Sequence, residues 1–289
     1  MKKILILIGS VLALMLMLAC EEVVTNDIDL GETRVRMVVE GGVTKVLSEG
    51  STVQKVFISQ SLNAFEAGER APVTDAIVTL EDQQGNSYVL TQDPDSSGLY
   101  QSDPIEPSTD EVYSLTVLWN GEEYFAEEKV RAVPPIERIY QTFEEETFFD
   151  DEGYRVNIDF TDTPGVENFY YWQLFVNGVN GIIVDPGNES NLIQSDEFFD
   201  GNTITGYRPN PDALPLPSQT VEVIQYGISQ NYFDFLSTLF QQTATVDGIF
   251  DTPPVPIRGN VLNLTNPDNY ALGYFTASEV SIETILIQE

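Results

Sequence analysis

Histidine is absent from the 289 residues. That removes a Ser-His-Asp triad, an imidazole general base and a His-ligated zinc site. Cysteine is nearly absent: Cys20 stands alone, so neither a disulfide framework nor a cysteine-ligated metal site holds the chain together. Positive charge is scarce, with 13 Lys and Arg against 46 Asp and Glu and a formal charge of −33. Such a chain repels phosphate backbones and anionic lipid head groups, so nucleic acid is not an expected partner. The sequence also contains no G-x-S-x-G elbow, no G-x-x-x-x-G-K-[ST] loop and no G-x-G-x-x-G opening a helix, and nucleotide is set aside with them. Paired carboxylates for a hydrolase stay open as the least favoured reading, because sequence does not give their separations. The expectation is a non-catalytic protein without a cofactor, whose acids keep it soluble.

What is present begins at the amino terminus. Lys2 and Lys3 precede the apolar run ILILIGSVLALMLML (4–18), followed by Ala19 and Cys20. The run is short for a membrane span, which takes about 20 apolar residues, and has the parts of a secretory signal. Met17 at −3, Ala19 at −1 and Cys20 at +1 read as a bacterial lipobox. Residues 1–19 are then a signal peptide, Cys20 is the lipidation site, and its acyl chains attach the protein to membrane lipid. Residues 20–32, EEVVTNDIDLGE after the cysteine, form an acidic tether.

From residue 33 strand signals follow quickly. RVRMVVEGGV (34–43), TVQKVFISQS (52–61), VTDAIVTLEDQQGNSYVLTQ (73–92), Gly98-Leu99-Tyr100 and EVYSLTVLWNGEEYFAEEKV (111–130) alternate or are β-branched. Asn120-Gly121 is the dipeptide of a type I′ turn, whose central residues need positive φ. About seven short strands at this spacing predict an immunoglobulin-like sandwich over 33–132. Val133-Pro134-Pro135 is a stiff joint. Residues 133–289 are predicted to form a second, mostly β domain, with strand candidates at 136–146, 152–165, 167–181 and 259–289. Residues 185–220, with five prolines, are long enough to be a functional or packed loop. One amphipathic helix is predicted near 229–245, with Ser229 as N-cap and Tyr232, Phe233, Leu236, Leu239 and Phe240 on one face.

Two clusters carry candidate chemistry. Asp93, Asp95 and Ser97 imitate the start of a calcium loop, but Pro104 occupies the twelfth position where a Glu is wanted. A polar turn is the favoured reading there, as it is for the acidic run 144–152. Phe148, Phe149, Phe169, Tyr170, Tyr171, Trp172, Phe198 and Phe199 are dense for a β domain. Most belong in a core. Phe198, Phe199 and Trp172 are the candidates for a sugar or peptide pocket or a partner contact.

These features resemble one family. The lipobox cysteine, Ile28-Asp29-Leu30, Val38-Val39-Glu40-Gly41, Asp75-Ala76-Ile77-Val78, Gly98-Leu99-Tyr100, Val133-Pro134-x-Ile136, Gly248-Ile249-Phe250 and Leu272-Gly273-Tyr274-Phe275 together resemble the Bacteroidota lipoproteins of domain of unknown function 4249. The resemblance implies an outer-membrane lipoprotein, commonly encoded beside TonB-dependent receptors, and implies that Glu21 and Glu22 are a surface-export signal. The expected function is that of an accessory or ligand-capturing partner of a TonB-dependent transporter, on the cell surface. A cell-surface adhesion or structural lipoprotein is the alternative.

Overall fold

Alternating side chains turn the first part of the chain into strands much as expected. The computed structural model describes residues 35–62, 70–148, 151–180, 192–244 and 257–289. Before Ala132 these comprise β1 (Met37–Val46), β2 (Thr52–Gln60), β3 (Ile77–Asp82), β4 (Ser87–Gln92), β5 (Leu99–Ile105), β6 (Val112–Trp119) and β7 (Glu122–Lys129). Asn120 and Gly121 take φ of 50° and 78°, which lets β6 return directly as β7. Tyr113, Leu115 and Val117 of β6 and Tyr124 and Ala126 of β7 are buried. β1, β2 and β5 neighbour one another, as do β4, β3, β6 and β7. Val39, Val56 and Ile58 from the first set share a core with Val78, Leu80 and Leu115 from the second.

The later elements are β8 (Ile136–Glu144), β9 (Gly153–Thr161), β10 (Phe169–Val176), β11 (Val179–Asn180), β12 (Ile193–Ser195), β13 (Thr203–Tyr207), β14 (Thr220–Ile228), α1 (Gln230–Ala244), β15 (Leu262–Asn263) and β16 (Leu272–Leu286). The protein is mainly β, with one helix of this length among the described residues. β13, β9 and β8 form a small sheet. Val156, Ile158 and Phe160 of β9 meet Tyr170, Trp172 and Leu174 of β10 and Val221 and Val223 of β14 in a second core. The described part of the proline-rich stretch is packed: Phe199, Ile204, Tyr207 and Ala213 lean on this core. Ser229 caps α1, accepting the Tyr232 N–H at 3.2 Å, and Leu236 and Phe240 are buried against Leu192, Ile193 and Ile228.

The tail supplies closing strands, as expected from 259–289. They are two and very unequal, the two-residue β15 and the 15-residue β16. β16 pairs in parallel with β1 from Val38↔Leu272 to Val46↔Val280. It pairs antiparallel with β14 from Tyr226↔Val280 to Thr220↔Leu286. One strand therefore sends Phe275 and Ala277 into the first core and packs Ile285 against the second. The first core also takes Val261 and Ala271 from the far end of the chain, and one sheet runs from β10 through β7. Buried Glu279 pins the crossing: it accepts hydrogen bonds from Lys45 Nζ at 2.7 Å, from Thr109 Oγ1, and from the Val133 N–H at 3.2 Å.

Two carboxylates organise turns. Burial pushes the Asp82 pKa up. Hydrogen bonds from Asn86, Tyr88 and Gln84 outweigh it and hold the group below its ordinary 3.8. Glu122 is held below its ordinary 4.5, first by the Tyr124 hydroxyl at 2.6 Å and then, against the effect of burial, by Asn269, Asn263 and Asn266. A carboxylate whose native pKa is depressed stabilises the fold above its unfolded-state pKa, and that stability is lost as pH falls through the native value. Stability should thus fall on the acid side of 4.5. Glu122→Gln should flatten that limb while lowering stability at neutral pH. Urea midpoints measured from neutral pH down through the carboxylate range test this; an unchanged acid limb counts against the Glu122 contribution.

Candidate functional site

Along a strand every second residue faces the same way, and the pairing register decides which of them line up. Across β10, β14, β16, β1, β2 and β5, neighbours in one sheet, Trp172, Phe275, Ala277 and Val43 point into cores. On the other face Tyr171 stands opposite Tyr226, Thr276 opposite Gly42, and Ser278 opposite Thr44. Gly42 in turn stands opposite Lys55. These residues line a trough of about 640 Å³ that reaches Pro104 on β5.

Tyrosines wall one end. The Tyr171 and Tyr226 rings lie 5.4 Å apart, tilted by 32°. Tyr232, from the first turn of α1, stands edge-on to Tyr171 at 6.5 Å and 82°. Gln173 ties two of them together: its Nε2 donates to the Tyr171 oxygen at 3.0 Å, and the Tyr226 hydroxyl donates to its Oε1 at 2.7 Å. Tyr232 rests on Tyr274 at 4.6 Å. The Tyr274 hydroxyl donates to Glu128 at 3.0 Å, and so does the helix-capping Ser229 hydroxyl. The helix start and the ring behind the wall therefore share one anchor. Burial, foremost, raises the phenol pKa values of Tyr171, Tyr226 and Tyr232, so all three stay protonated and neutral at physiological pH.

The floor is bare. Gly41 and Gly42 offer no side chains, and a Cβ on Gly42 would sit 1.9 Å from the Thr276 carbonyl oxygen. The lining carries one carboxylate, Glu49, and one ammonium, Lys55. A single acid is not the paired arrangement that glycoside hydrolysis needs.

The residues singled out from sequence lie elsewhere. Cys20 is outside the described residues. Both Asp93 oxygens serve the β4–β5 turn, accepting from the Asp95 N–H at 2.9 Å and from Gln101 Nε2 at 2.5 Å. Asp95 and Ser97 are exposed in that turn. Trp172 is fully buried, Phe199 packs on the second core, and Phe198 is 85% exposed. In the acidic run, Glu144 forms an ion pair with Arg208.

Three aspartates that sequence did not single out come together: Asp162, Asp196 and Asp200 place carboxylate oxygens within 4.8 Å of one another. Asp162 and Asp196 are buried. This is the set that has the oxygen chemistry for a divalent cation. Each also accepts protein hydrogen bonds. Asp162 accepts from the Tyr170 hydroxyl and the Gly201 N–H, Asp196 from the Asn168 N–H at 2.8 Å, and Asp200 from the Gly165 N–H at 2.6 Å. These bonds staple the loop after β9 to the loop before β13.

Sequence reading also missed the wall as a unit. In sequence Tyr171 belongs to an aromatic cluster, Tyr232 to the apolar face of a helix, and no element is predicted over 221–228, where Tyr226 lies on β14. The β-branched run Val221, Val223 and Ile224, broken only by Glu222, is the signal that reveals that strand. A family model described as a domain of unknown function (DUF4249) matches residues 24–284. No curated protein matches the chain.

Proposed function

The chain belongs to the DUF4249 family, and from that premise we propose that it is a non-catalytic outer-membrane lipoprotein that captures a ligand for a TonB-dependent transporter. The observation that carries the capture role is the trough: an aromatic wall beside a side-chain-free floor, with a single carboxylate and a single ammonium in its lining. Such a mix of aromatic surface and a few placed polar groups is the usual make-up of a ligand site. The anchor reading rests on the apolar run ending at Ala19-Cys20, and the surface-facing reading on Glu21 and Glu22. The first core is read as an immunoglobulin-like sandwich whose β1, β2 and β5 supply part of the trough lining, the aromatic wall coming from β10, β14 and α1.

Two measurements test the proposal. Cys20→Ser should move the protein from the membrane fraction to the soluble fraction; retention in the membrane sinks the lipid anchor. From detergent-solubilised membranes the wild-type protein should co-elute with the TonB-dependent receptor encoded beside it. Separate elution in mild detergent sinks the transporter role.

A further inference from the structure

We propose that the trough is a stacking platform for an uncharged oligosaccharide, an inference that rests on the capture role and adds the class of ligand. The wall comes first. Tyr171, Tyr226 and Tyr232 already pack on one another, at 5.4 Å and 6.5 Å. Together they wall one end of the trough. A cage for an ammonium group instead needs rings arranged around an empty centre. The apolar C–H face of a sugar ring matches such a wall, as the flat faces of bases match aromatic platforms elsewhere.

The floor is the second argument. Gly41 and Gly42 leave bare backbone next to the wall, and the Thr276 carbonyl, 1.9 Å from any Cβ on Gly42, keeps a side chain from filling that space. Around it Thr44, Thr276, Ser278 and Gln173 offer both donors and acceptors, which is what a ring bearing several hydroxyls requires.

Charge and topology remove the competitors. The formal charge of −33 disfavours acidic glycans and other polyanions. Burial keeps the three phenols protonated, so they add no charge of their own. An extended peptide binds by adding to a free sheet edge. The trough lies instead on the face of neighbouring strands from β14 through β2, and where β1 and β2 part beyond Gly42↔Lys55 the Thr44 N–H and carbonyl are already taken by the Gln54 and Thr52 side chains.

The test is affinity electrophoresis and calorimetry of the detergent-extracted full chain. The probes are neutral gluco-, manno- and galacto-hexasaccharides, a hexagalacturonate, and a pool of unstructured peptides. At least one neutral hexasaccharide should bind. Tyr171→Ala and Tyr232→Ala should each weaken it about tenfold, in keeping with one stacking contact, and Tyr232→Phe should preserve it. Because truncating a wall tyrosine also loosens packing, Thr276→Trp is the companion variant. It fills the floor without removing core atoms and should abolish binding while leaving the urea midpoint near that of the wild type. Failure of every neutral hexasaccharide to bind overturns the inference, as does binding that Thr276→Trp leaves intact. Binding of hexagalacturonate or peptide that Thr276→Trp abolishes overturns the ligand class but keeps the capture role. Separate elution from the receptor, by contrast, strikes the transporter role and leaves the ligand class untouched.

Discussion

Trp172→Ala should destabilise the protein by about 3–5 kcal/mol, the cost of emptying a large aromatic site in a packed core. Trp172 is fully buried and stands among Tyr207 at 4.4 Å, Tyr170 at 5.7 Å and Phe160 at 6.0 Å. Its indole N–H donates to Gln225 Oε1 at 3.0 Å, and Gln225 Nε2 donates to the Pro134 carbonyl at 3.0 Å. The ring thus reaches, through one glutamine, the proline joint between the two cores. Alanine removes the packing and also leaves a buried carbonyl oxygen without its donor. Trp172→Phe separates the two effects: it keeps most of the ring and loses the N–H, and should cost about 1–3 kcal/mol. Against a total stability of about 5–15 kcal/mol for a typical folded domain, the alanine variant should shift the urea midpoint severely. A midpoint within error of the wild type would mean that the second core is not closed around this residue.

Gly42→Val should be at least as damaging, for a reason that has nothing to do with burial of apolar area. Gly42 needs no left-handed φ. It is glycine because β16 passes too close: a Cβ would lie 1.9 Å from the Thr276 oxygen and 2.7 Å from its carbonyl carbon and nitrogen. Those are backbone atoms, so no rotamer change relieves the clash and the parallel β1–β16 ladder must open. That ladder runs from Val38↔Leu272 to Val46↔Val280 and seats the closing strand. A loss of more than about 4 kcal/mol is expected, the range reserved for broken backbone packing and comparable faults. Gly50→Ala is the control. Gly50 has open space within 4 Å, so its change should stay within about 0.5 kcal/mol. Equal urea midpoints for the Gly42 and Gly50 variants would refute the close approach of β1 and β16.

These residues show where sequence reading stops. The Asn120-Gly121 hairpin and the Ser229 cap were legible because each depends on neighbours a few residues away. The pairing of Gly42 with Thr276 was not, because nothing local to either residue names the other. The same holds for the candidate site. Period-two alternation separates Tyr171 from Trp172, yet it does not say which of the two faces the core. Trp172 is one of the three aromatic candidates in sequence; packing places it in the interior and leaves Tyr171 on the other face. Phe199 went the same way, drawn onto the second core, while its neighbour Phe198 stayed exposed.

By itself the sequence determined what is local or compositional. The missing histidines and the acid excess limit the chemistry, and alternation and turn residues make the protein mainly β. Tertiary structure alone decided the trough. Its wall joins a helix residue to two strands, and its floor exists where β1 meets β16, more than 200 residues later in the chain. Register between distant strands is set by the packing of the whole sheet on its cores, and that information is spread over all the strands at once.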